Sequence, residues 1–431
     1  MPQRTGPEAS ANVRAWRGDF DQTGWWHSFE LPDGRKIRGT NELSGLKRRL
    51  ATFPIPEDLS GKRVLDIGAW DGWFSFELER RGADVVAVDN VESANFLYLH
   101  RELGSKIDYR ILDVYELTPE RLGRFDIVLF LGVLYHLKHP LLALERICAL
   151  TKDFAAVGSF TSPDTGPPVM EFYEIDELGG QFDNWCGPNP SCLVAMCRTA
   201  GFARAELLDV NEFGSSVACY RHFPQGTSAE APPALKMCVH TTRFGIDFSS
   251  RRDDYASCWF HSVADALDLD TVQARVGSLD ARPVYVAKDG ALWQANFKIP
   301  LGLDPGWHEV RVRTEYSRWS GPLRIALDVP VVVDGVIEIT GACDGTTWSK
   351  AEITSPVLSV WVSGAPQNGG RDNIRVTIGE RRCRVDYVSQ WQAGAPTQLN
   401  VAIPKDLGKG EFPVTVEIAQ VVSQPVSVNV R

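Results

Sequence analysis

Long hydrophobic runs are absent from this sequence of 431 residues, although 44% of its residues are hydrophobic. A helix that crosses a bilayer needs about 20 consecutive apolar residues, and no run approaches that length. The opening stretch MPQRTGPEASANVRAW also lacks the apolar segment of a secretion signal. We therefore expect a cytoplasmic protein of globular composition without a membrane partner.

A cysteine pattern typical of disulfide-bonded or metal-binding proteins is missing as well. The nine cysteines are scattered through the chain and form no C-x-x-C pair. An odd number at irregular spacing predicts reduced and mostly buried thiols. The nearest approach to a metal cluster is formed by Cys186, Cys192 and Cys197, which have no histidine at ligand spacing. No metal is therefore expected.

Positive charge is scarce in the first half of the chain. Residues 1–230 contain 24 Lys and Arg against 33 Asp and Glu, whereas residues 231–431 contain 21 against 22. A protein that grips RNA normally offers a basic face to the phosphates. The acidic excess counts against nucleic acid as a partner, although a local basic patch is still compatible with this overall charge.

The most informative stretch that is present is Arg63–Asp89, RVLDIGAWDGWFSFELERRGADVVAVD. It predicts a buried strand, a turn with Gly68 and Gly72, an amphipathic helix and a second strand that ends at Asp89. A carboxylate about 20 residues after such glycines is how a Rossmann-like sheet holds an adenosine. Glycine lets the backbone approach a ligand closely, and the carboxylate can accept both ribose hydroxyls.

The turn differs from that of dinucleotide-binding enzymes, because the spacing G-x-G-x-x-G is absent and Asp66 precedes the first glycine. It resembles motif I of the class I S-adenosylmethionine (SAM) methyltransferases. One departure is Trp70, which stands where that family has the middle glycine of G-x-G-x-G. The resemblance implies an α/β Rossmann-like domain with a seven-stranded sheet, SAM as the cofactor and S-adenosylhomocysteine (SAH) as its product. The cofactor-binding residues that it implies here are Asp66, Gly68, Ala69, Trp70, Asp71, Gly72, Asp89 and Asn90.

The third strand, predicted at 107–112, ends at Asp113 and Val114. An acid at this position commonly accepts the adenine amino group in the class I methyltransferases. The resemblance therefore implies that Asp113 and Val114 lie at the cofactor.

The fourth strand, predicted at 125–132, runs into Tyr135 and His136. Strand ends in open α/β sheets face the ligand crevice. We therefore expect Leu131 and Gly132 beside the cofactor, and Tyr135 and His136 where a methyl acceptor would lie.

Residues 169–201 form an insertion before the next strand, in which Asn184-Trp185 and Pro188-Asn189-Pro190 predict a lid loop that caps a helix ending at Gly201. Together with 132–136, this segment is similar to the branch of class I methyltransferases that includes the tRNA wobble-uridine enzyme, which uses a carboxylated SAM. The resemblance covers roughly residues 25–222. The basic residues that bind the extra carboxylate in that enzyme have no match in this sequence.

An alcohol or phenol acceptor needs a base near neutral pH, and His136, with an ordinary pKa of about 6.5, is the obvious candidate. Its alternative role is a hydrogen bond to the backbone beside the cofactor. Tyr135 is expected to shape the methyl site, and His27 is a weaker alternative base. Candidates for acceptor binding from the lid are Glu171, Tyr173 and Trp185.

The last 200 or so residues change character after a Pro, Ala, Ser and Gly linker at 223–235. Short alternating strands predominate, and Ile299-Pro300 recurs as Ile403-Pro404 within a longer internal repeat. We therefore expect a flexible segment at 1–24, a methyltransferase domain at 25–222 and two immunoglobulin-like β-sandwich modules at 236–335 and 336–431.

The sequence thus favours a SAM-dependent methyltransferase that acts on an oxygen of a small-molecule or sugar-bearing acceptor, with modules that bind glycans or pair subunits in a homo-oligomer. Two alternatives stay open. One is a tRNA wobble-uridine-type enzyme. The other is a non-catalytic scaffold with a degenerate fold, for which Trp70 is the best support.

Overall fold

The computed structural model describes residues 24–163, 165–226 and 229–431. The predicted flexible segment 1–24 therefore lies outside the described residues, apart from Gly24. The chain divides into two compact units, Met1–Pro224 and Gln225–Arg431. In the described parts of the chain, no helix is long and apolar enough to cross a membrane. The nine cysteines, all within the described residues, are free, and eight of them are buried.

The first unit is an α/β fold built on one large sheet. Its strands are β1 (Phe29–Glu30), β2 (Lys36–Ile37), β3 (Arg63–Ile67), β4 (Asp84–Asp89), β5 (Asp108–Ile111), β6 (Phe125–Leu131), β7 (Thr151–Ser159), β8 (Met170–Phe172), β9 (Cys186–Pro188), β10 (Arg204–Asn211) and β11 (Gly214–Tyr220). Its helices are α1 (Leu43–Thr52), α2 (Trp73–Arg80), α3 (Ala94–Glu102), α4 (Pro119–Leu122), α5 (Pro140–Leu150) and α6 (Pro190–Thr199).

Seven strands form the sheet in the order β10-β11-β7-β6-β3-β4-β5. The strands from β7 to β5 are parallel, while β11 is antiparallel to both β7 and β10. This is the seven-stranded Rossmann-like sheet that the resemblance implied, with an antiparallel pair at one edge. The largely apolar sequences of β3 and β6 follow from burial on both faces. Val64 and Leu65, for example, are neighbours in β3 but belong to separate hydrophobic clusters.

The turn from β3 to α2 is closely packed. Gly68 has φ 74°, and a Cβ there would lie 2.2 Å from Cγ2 of Val133. Gly72 has φ 86°, and a Cβ there would lie 2.6 Å from the Phe96 ring. Trp70 adopts φ 51°, the left-handed conformation that glycine takes most easily. The chain therefore holds a glycine-like turn even where the side chain is large.

The second unit consists of strands. Its first half contains β12 (Ala234–His240), β13 (Asp247–Phe248), β14 (Tyr255–His261), β15 (Val272–Val276), β16 (Leu279–Ala281), β17 (Pro283–Asp289), β18 (Leu292–Lys298), β19 (Gly306–Thr314) and β20 (Leu323–Leu327). Its second half contains β21 (Glu338–Asp344), β22 (Val357–Ser363), β23 (Ile374–Ile378), β24 (Arg381–Val388), β25 (Thr397–Ala402), β26 (Gly410–Ile418), β27 (Val421–Val422) and β28 (Val426–Val430). Because β12 begins at Ala234, the strands start inside the predicted linker.

The two halves of the second unit have the same plan. The first half has sheets β12-β14-β18-β17 and β13-β20-β19-β15-β16, and the second half has the order β21-β22-β25-β24-β23-β26-β27 with β28 beside β26. Each half encloses a hydrophobic core of its own. A bulge between Pro283 and Tyr285 in β17 recurs between Val385 and Tyr387 in β24. The predicted repeat is therefore visible in the strand register.

Candidate functional site

A cavity of about 1440 Å³ opens in the first unit where the parallel strands β3, β4 and β6 end. Most of the predicted cofactor residues line it, and so do two of the four predicted catalytic residues. The cofactor candidates in its wall are Asp66, Gly68, Trp70, Asp89, Asn90, Asp113, Val114, Leu131 and Gly132, and the catalytic candidates are Tyr135 and His136.

The other three cofactor candidates are not in the cavity wall. Ala69 is buried in the hydrophobic core, and Gly72 lies under an aromatic ring. The carboxylate of Asp71 accepts hydrogen bonds from the backbone N–H groups of Trp26, at 2.5 Å, and His27, at 3.1 Å. Asp71 therefore fastens the N-terminal segment to the turn, and burial raises its pKa.

Asp89, at the end of β4, is held by the glycine turn itself. Its carboxylate accepts the N–H of Trp70 at 2.9 Å and the N–H of Val91 at 3.3 Å. The left-handed backbone at Trp70 thus points its N–H at the acid, as a glycine at that position would. Asp113 likewise caps the turn that follows β5, because its Oδ1 accepts the N–H of Tyr115 at 2.8 Å.

Asp66, the acid before the first glycine, is almost completely buried beneath the turn. Ser75 Oγ donates to its carboxylate at 2.6 Å. Burial, with the nearby charge of Asp89 as a smaller cause, raises the pKa of Asp66 to about 6. Its side chain therefore fixes α2 to β3 at the floor of the cavity.

Arg49 in α1 also lines the cavity, and the sequence analysis did not single it out. Its guanidinium makes no hydrogen bond or ion pair with the described residues, and burial lowers its pKa. A Cβ at Gly158 would lie 3.2 Å from its Nη2, so the glycine leaves room for the cation. A signal was available, because Leu46 and Leu50 are the buried residues of α1 and Arg49 lies three residues after Leu46.

His136 and Asp183 approach each other at the cavity wall. Nδ1 of His136 is 3.5 Å from the Asp183 carboxylate and 3.3 Å from its backbone carbonyl oxygen, which can accept the Nδ1 proton. Burial lowers the pKa of His136, and the charge of Asp183 acts in the opposite direction. The neighbouring Tyr135 ring centroid is 4.1 Å away, and burial raises the pKa of that phenol to about 12.

The three predicted lid residues, Glu171, Tyr173 and Trp185, lie outside the cavity wall. Glu171 is exposed in β8, where its carboxylate accepts the hydroxyl proton of Tyr173 at 2.6 Å. The backbone N–H of Trp185 donates to the carbonyl of Tyr135 at 2.8 Å, and its ring lies 4.5 Å from the Lys138 ammonium. Trp185 therefore supports Tyr135 from behind.

The lid brings residues 180–183 to the cavity, among them Phe182 and Asp183, in the connection between β8 and β9. The β10–β11 hairpin contributes Phe213 and two acids, Asp209 and Glu212. Phe182 is 79% exposed and Phe213 is 61% exposed, so both rings are available to a ligand. The outer end of the cavity is therefore aromatic and acidic.

Comparison with known proteins places this site in a class. Residues 37–171 match the family model described as a methyltransferase domain. The first unit therefore contains a methyltransferase domain.

Among curated relatives, the ubiquinone biosynthesis O-methyltransferase of Bordetella parapertussis is 40% identical over 96 residues, which are 22% of this chain and 40% of that protein. The tRNA U34 carboxymethyltransferase of Pseudomonas aeruginosa is 32% identical over 165 residues, which are 36% of this chain and 49% of that protein. The chain thus spans less than half the length of each of these two relatives.

Two solved structures are similar to this chain at lower identity. The N-terminal domain of EvdMO1, solved with SAH and D-fucose, is 22% identical with a TM-score of 0.35, over 48% of this chain and 92% of that one. The 1,6-didemethyltoxoflavin-N1-methyltransferase of Burkholderia thailandensis is 24% identical with a TM-score of 0.30, over 37% of this chain and 70% of that one.

Proposed function

We propose that this protein transfers a methyl group from SAM to an oxygen atom of a small-molecule or sugar-bearing acceptor. The observation that carries the proposal is a single cavity whose wall contains both the cofactor candidates and His136 beside Asp183. Methyl transfer from a sulfonium is an in-line displacement, so positioning within one cavity provides much of the acceleration.

Three charged side chains would hold the cofactor. Asp89 would accept the ribose hydroxyls and Asp113 the adenine amino group. Arg49 would bind the carboxylate of the methionine moiety, because its guanidinium faces the cavity without an ion-pair partner among the described residues. Arg49 is partly buried, and a partly buried cation without an ion-pair partner gains from a ligand that neutralises it, so this residue fits an anionic group.

His136 would act as the base. When bound, SAM would supply an electrophilic methyl group. The imidazole would take the proton of the acceptor hydroxyl at Nε2 as the oxygen attacks. Asp183 would keep the other ring proton on Nδ1 and stabilise the imidazolium that forms. Because burial lowers the pKa of His136, the ring is neutral and able to accept a proton at pH 7.

Tyr135, Trp185 and Glu171 would have supporting roles. Tyr135 stays protonated near neutral pH and would shape the methyl site, since burial raises its pKa to about 12. Trp185 would hold Tyr135 through its backbone N–H. Glu171 would meet an acceptor only if β8 moved, because it is exposed and bonded to Tyr173.

A tRNA-modifying activity is the second candidate, and the relationship to the tRNA U34 carboxymethyltransferase favours it. The acids at the outer end of the cavity, Asp183, Asp209 and Glu212, oppose it because they would repel phosphates. A degenerate scaffold is less well supported, since Trp70 adopts the backbone conformation of a glycine and hydrogen-bonds Asp89.

The first experiment is a calorimetric titration of the purified chain with SAH, with carboxylated SAM and NAD as comparators. We expect micromolar binding of SAH alone, and loss of that binding in Asp89→Ala while the domain stays folded. A preference for carboxylated SAM would favour the tRNA branch. No binding of any of the three would contradict the proposal and favour the scaffold.

We further propose that residues 25–222 are the catalytic domain, joined by a linker at 223–235 to immunoglobulin-like modules at 236–335 and 336–431. The duplicated strand order and the separate cores support two sandwich modules. The internal repeat supports a common origin for them.

A further inference from the structure

The second half of the second unit carries a compact set of polar and aromatic side chains on the outer face of its sheet. Trp361 lies opposite Gln398, and Ser359 lies opposite Asn400, which in turn lies opposite Tyr387. Alternate residues of these strands point into the core, so this set points away from it. We call these five residues the outer-face set.

The first half of the unit repeats the outer-face set residue for residue. Trp259 lies opposite Gln294, and Ser257 lies opposite Asn296, which again lies opposite Tyr285. The amide contact also recurs, because the side-chain NH₂ of the glutamine donates to the asparagine Oδ1 at 2.9 Å in the first copy and 3.0 Å in the second. Exposure matches as well, with Tyr285 at 47% and Tyr387 at 46%.

Core packing does not explain this identity. The inward-facing residues between the repeated positions differ, as in Cys258 against Val360 and Ala295 against Leu399. Surface positions normally accept substitution more easily than core positions, since they make fewer contacts. Here the core has diverged, whereas the set on the other face has stayed the same. Its Ser is buried, its Trp, Gln and Asn are half-buried and its Tyr is exposed in both copies. The conserved part that reaches solvent is therefore the Trp, Gln, Asn and Tyr, which points to a requirement at the surface.

The chemistry of the outer-face set fits a neutral, hydroxyl-rich ligand. Its members carry no charge in either copy, so they offer no ion pair to a phosphate, a carboxylate or an ammonium group. Within the set the asparagine Oδ1 accepts from the glutamine in both copies, and from Ser359 Oγ in the second copy. The asparagine NH₂ and the glutamine oxygen are a donor and an acceptor close together, as vicinal hydroxyls require. The indole and phenol rings provide apolar faces with polar edges, on which the C–H face of a sugar ring can stack.

The spacing of the rings fits an oligosaccharide. Neighbouring strands lie about 4.8 Å apart and residues two positions apart lie about 6.8 Å apart. Trp361 and Tyr387 therefore stand at opposite corners of the set, roughly 12 Å apart, with the two amides between them. A disaccharide segment has about this length, so one sugar could contact each ring.

We propose that the second unit binds a neutral glycan through two equivalent sites, one on each copy of the outer-face set. Such binding is separate from the proposed methyl transfer and requires no cofactor. The competing explanation is that the set is only a cross-strand ladder that stabilises each sheet.

The test is calorimetry on the full chain without SAM, with three neutral hexasaccharides as probes: cellohexaose, maltohexaose and mannohexaose. We expect at least one of them to bind at two sites per chain. Trp361→Ala and Trp259→Ala should each leave one site, and the double variant should bind at least about tenfold more weakly. A heparin hexasaccharide should not bind at these sites.

Tyr387→Ala is a variant that should destabilise the fold less, because the ring is half exposed. It should weaken one of the two sites, whereas Tyr316→Ala, a ring of similar exposure outside the set, should weaken neither. The proposal is overturned if none of the three neutral probes binds more tightly than about 1 mM. It is also overturned if binding survives in the double tryptophan variant, or if the variants change only the unfolding temperature.

Discussion

Arg49 is the residue whose role in the cavity can be separated most cleanly from that of its neighbours. If its guanidinium binds the methionine carboxylate, Arg49→Ala should weaken SAH roughly 10- to 100-fold, as expected for a hydrogen bond to a charged group. Binding of 5′-methylthioadenosine, which lacks the carboxylate, should not change. Asp89→Ala should weaken both ligands, because both contain the ribose.

Calorimetry with the two ligands measures this difference directly. Lys47→Ala is the matched control, since Lys47 lies in the same helix but outside the cavity wall. Equal losses for both ligands in Arg49→Ala would show that the arginine supports the fold of the site rather than the carboxylate.

The pairing of His136 with Asp183 predicts how the rate of methyl transfer depends on pH. Burial lowers the pKa of His136 and Asp183 raises it, so Asp183→Asn should lower the pKa of this histidine further. The adjacent Tyr135 stays neutral over the range and should not contribute. A weaker base would move the acid limb of the rate profile to lower pH and reduce the rate above it.

Titration of the His136 ring by NMR in the SAH complex measures this pKa without knowledge of the acceptor. Asp209→Asn is the control, because Asp209 lines the cavity but does not contact His136. An unchanged His136 titration in Asp183→Asn would reject the pairing of these two residues. Failure of the wild-type protein to bind SAH would contradict the proposed methyl transfer itself.

Asp66 predicts how the stability of the fold depends on pH. Its pKa is raised to about 6 by burial, above the ordinary value of 3.8, so the folded state holds this proton more tightly than the unfolded state. The resulting stabilisation is fully present below pH 3.8 and is lost as the pH rises through about 6. Asp66→Asn should therefore raise the free energy of unfolding at pH 8 by up to about 3 kcal/mol, and much less at pH 4.

Urea denaturation followed by tryptophan fluorescence at the two pH values tests this expectation. Asp126→Asn is the control, because this partly buried acid of the same sheet lies 3.8 Å from the Lys152 ammonium, and it should not show the pattern. If Asp66→Asn changes the free energy of unfolding equally at both pH values, burial does not penalise the ionised form of this carboxylate.

The turn between β3 and α2 gives a prediction at the scale of an element. Gly68 combines φ 74° with a close approach to Val133, whereas Gly104 combines φ 58° with open space around its missing Cβ. Gly104→Ala should therefore cost only about 1 kcal/mol, the strain of a left-handed alanine. Gly68→Ala should cost clearly more and should also weaken SAH binding.

Thermal unfolding and SAH titration are compared for the two variants. Gly104→Ala measures the backbone strain alone, and Gly68→Ala measures the same strain together with the steric clash with Val133. Val133→Ala in the Gly68→Ala background should recover part of the loss, because it removes the nearest methyl group. Equal destabilisation by the two glycine variants would mean that the turn tolerates a Cβ.

The sequence predicted elements well where a local pattern determines them. The strand, glycine turn, helix and second strand predicted within Arg63–Asp89 are all present, and the second strand ends at Asp89 as predicted, because glycine turns and apolar periodicity are local signals. The apolar run from Phe154 predicts a strand at 154–160, whereas β7 begins three residues earlier, at Thr151, and its first residues include the exposed Lys152 and Asp153.

The lid was predicted less well, because pairing across the chain decides which of its residues face the cavity. The pairing of β8 with β9 leaves Glu171 exposed, and the connection between them carries Phe182 and Asp183 to the wall. Arg49 was missed for the same reason. Only the packing of α1 over the strand ends turns an ordinary helical arginine into a residue of the cavity.

At the scale of the whole molecule, charge separates the two candidate activities. The chain has a net charge of −10, and the excess lies in residues 1–230, which include the methyltransferase domain. A protein that neutralises several phosphates loses affinity steeply as salt rises, by about 10³ or more between 50 and 200 mM for six to ten contacts. We therefore expect no tight, salt-sensitive binding of tRNA by this chain.

Fluorescence anisotropy of a labelled bulk tRNA preparation between about 50 and 200 mM salt measures this property. The small-acceptor proposal expects binding that stays weaker than about 100 µM throughout, because the acids around the outer end of the cavity repel the phosphates. Replacing Asp209 and Glu212 with Asn and Gln should strengthen any residual binding at low salt, which would identify these acids as the cause. Micromolar binding with a steep salt dependence would instead make the tRNA enzyme the better description, and SAH and carboxylated SAM would then have to be compared in the presence of that RNA.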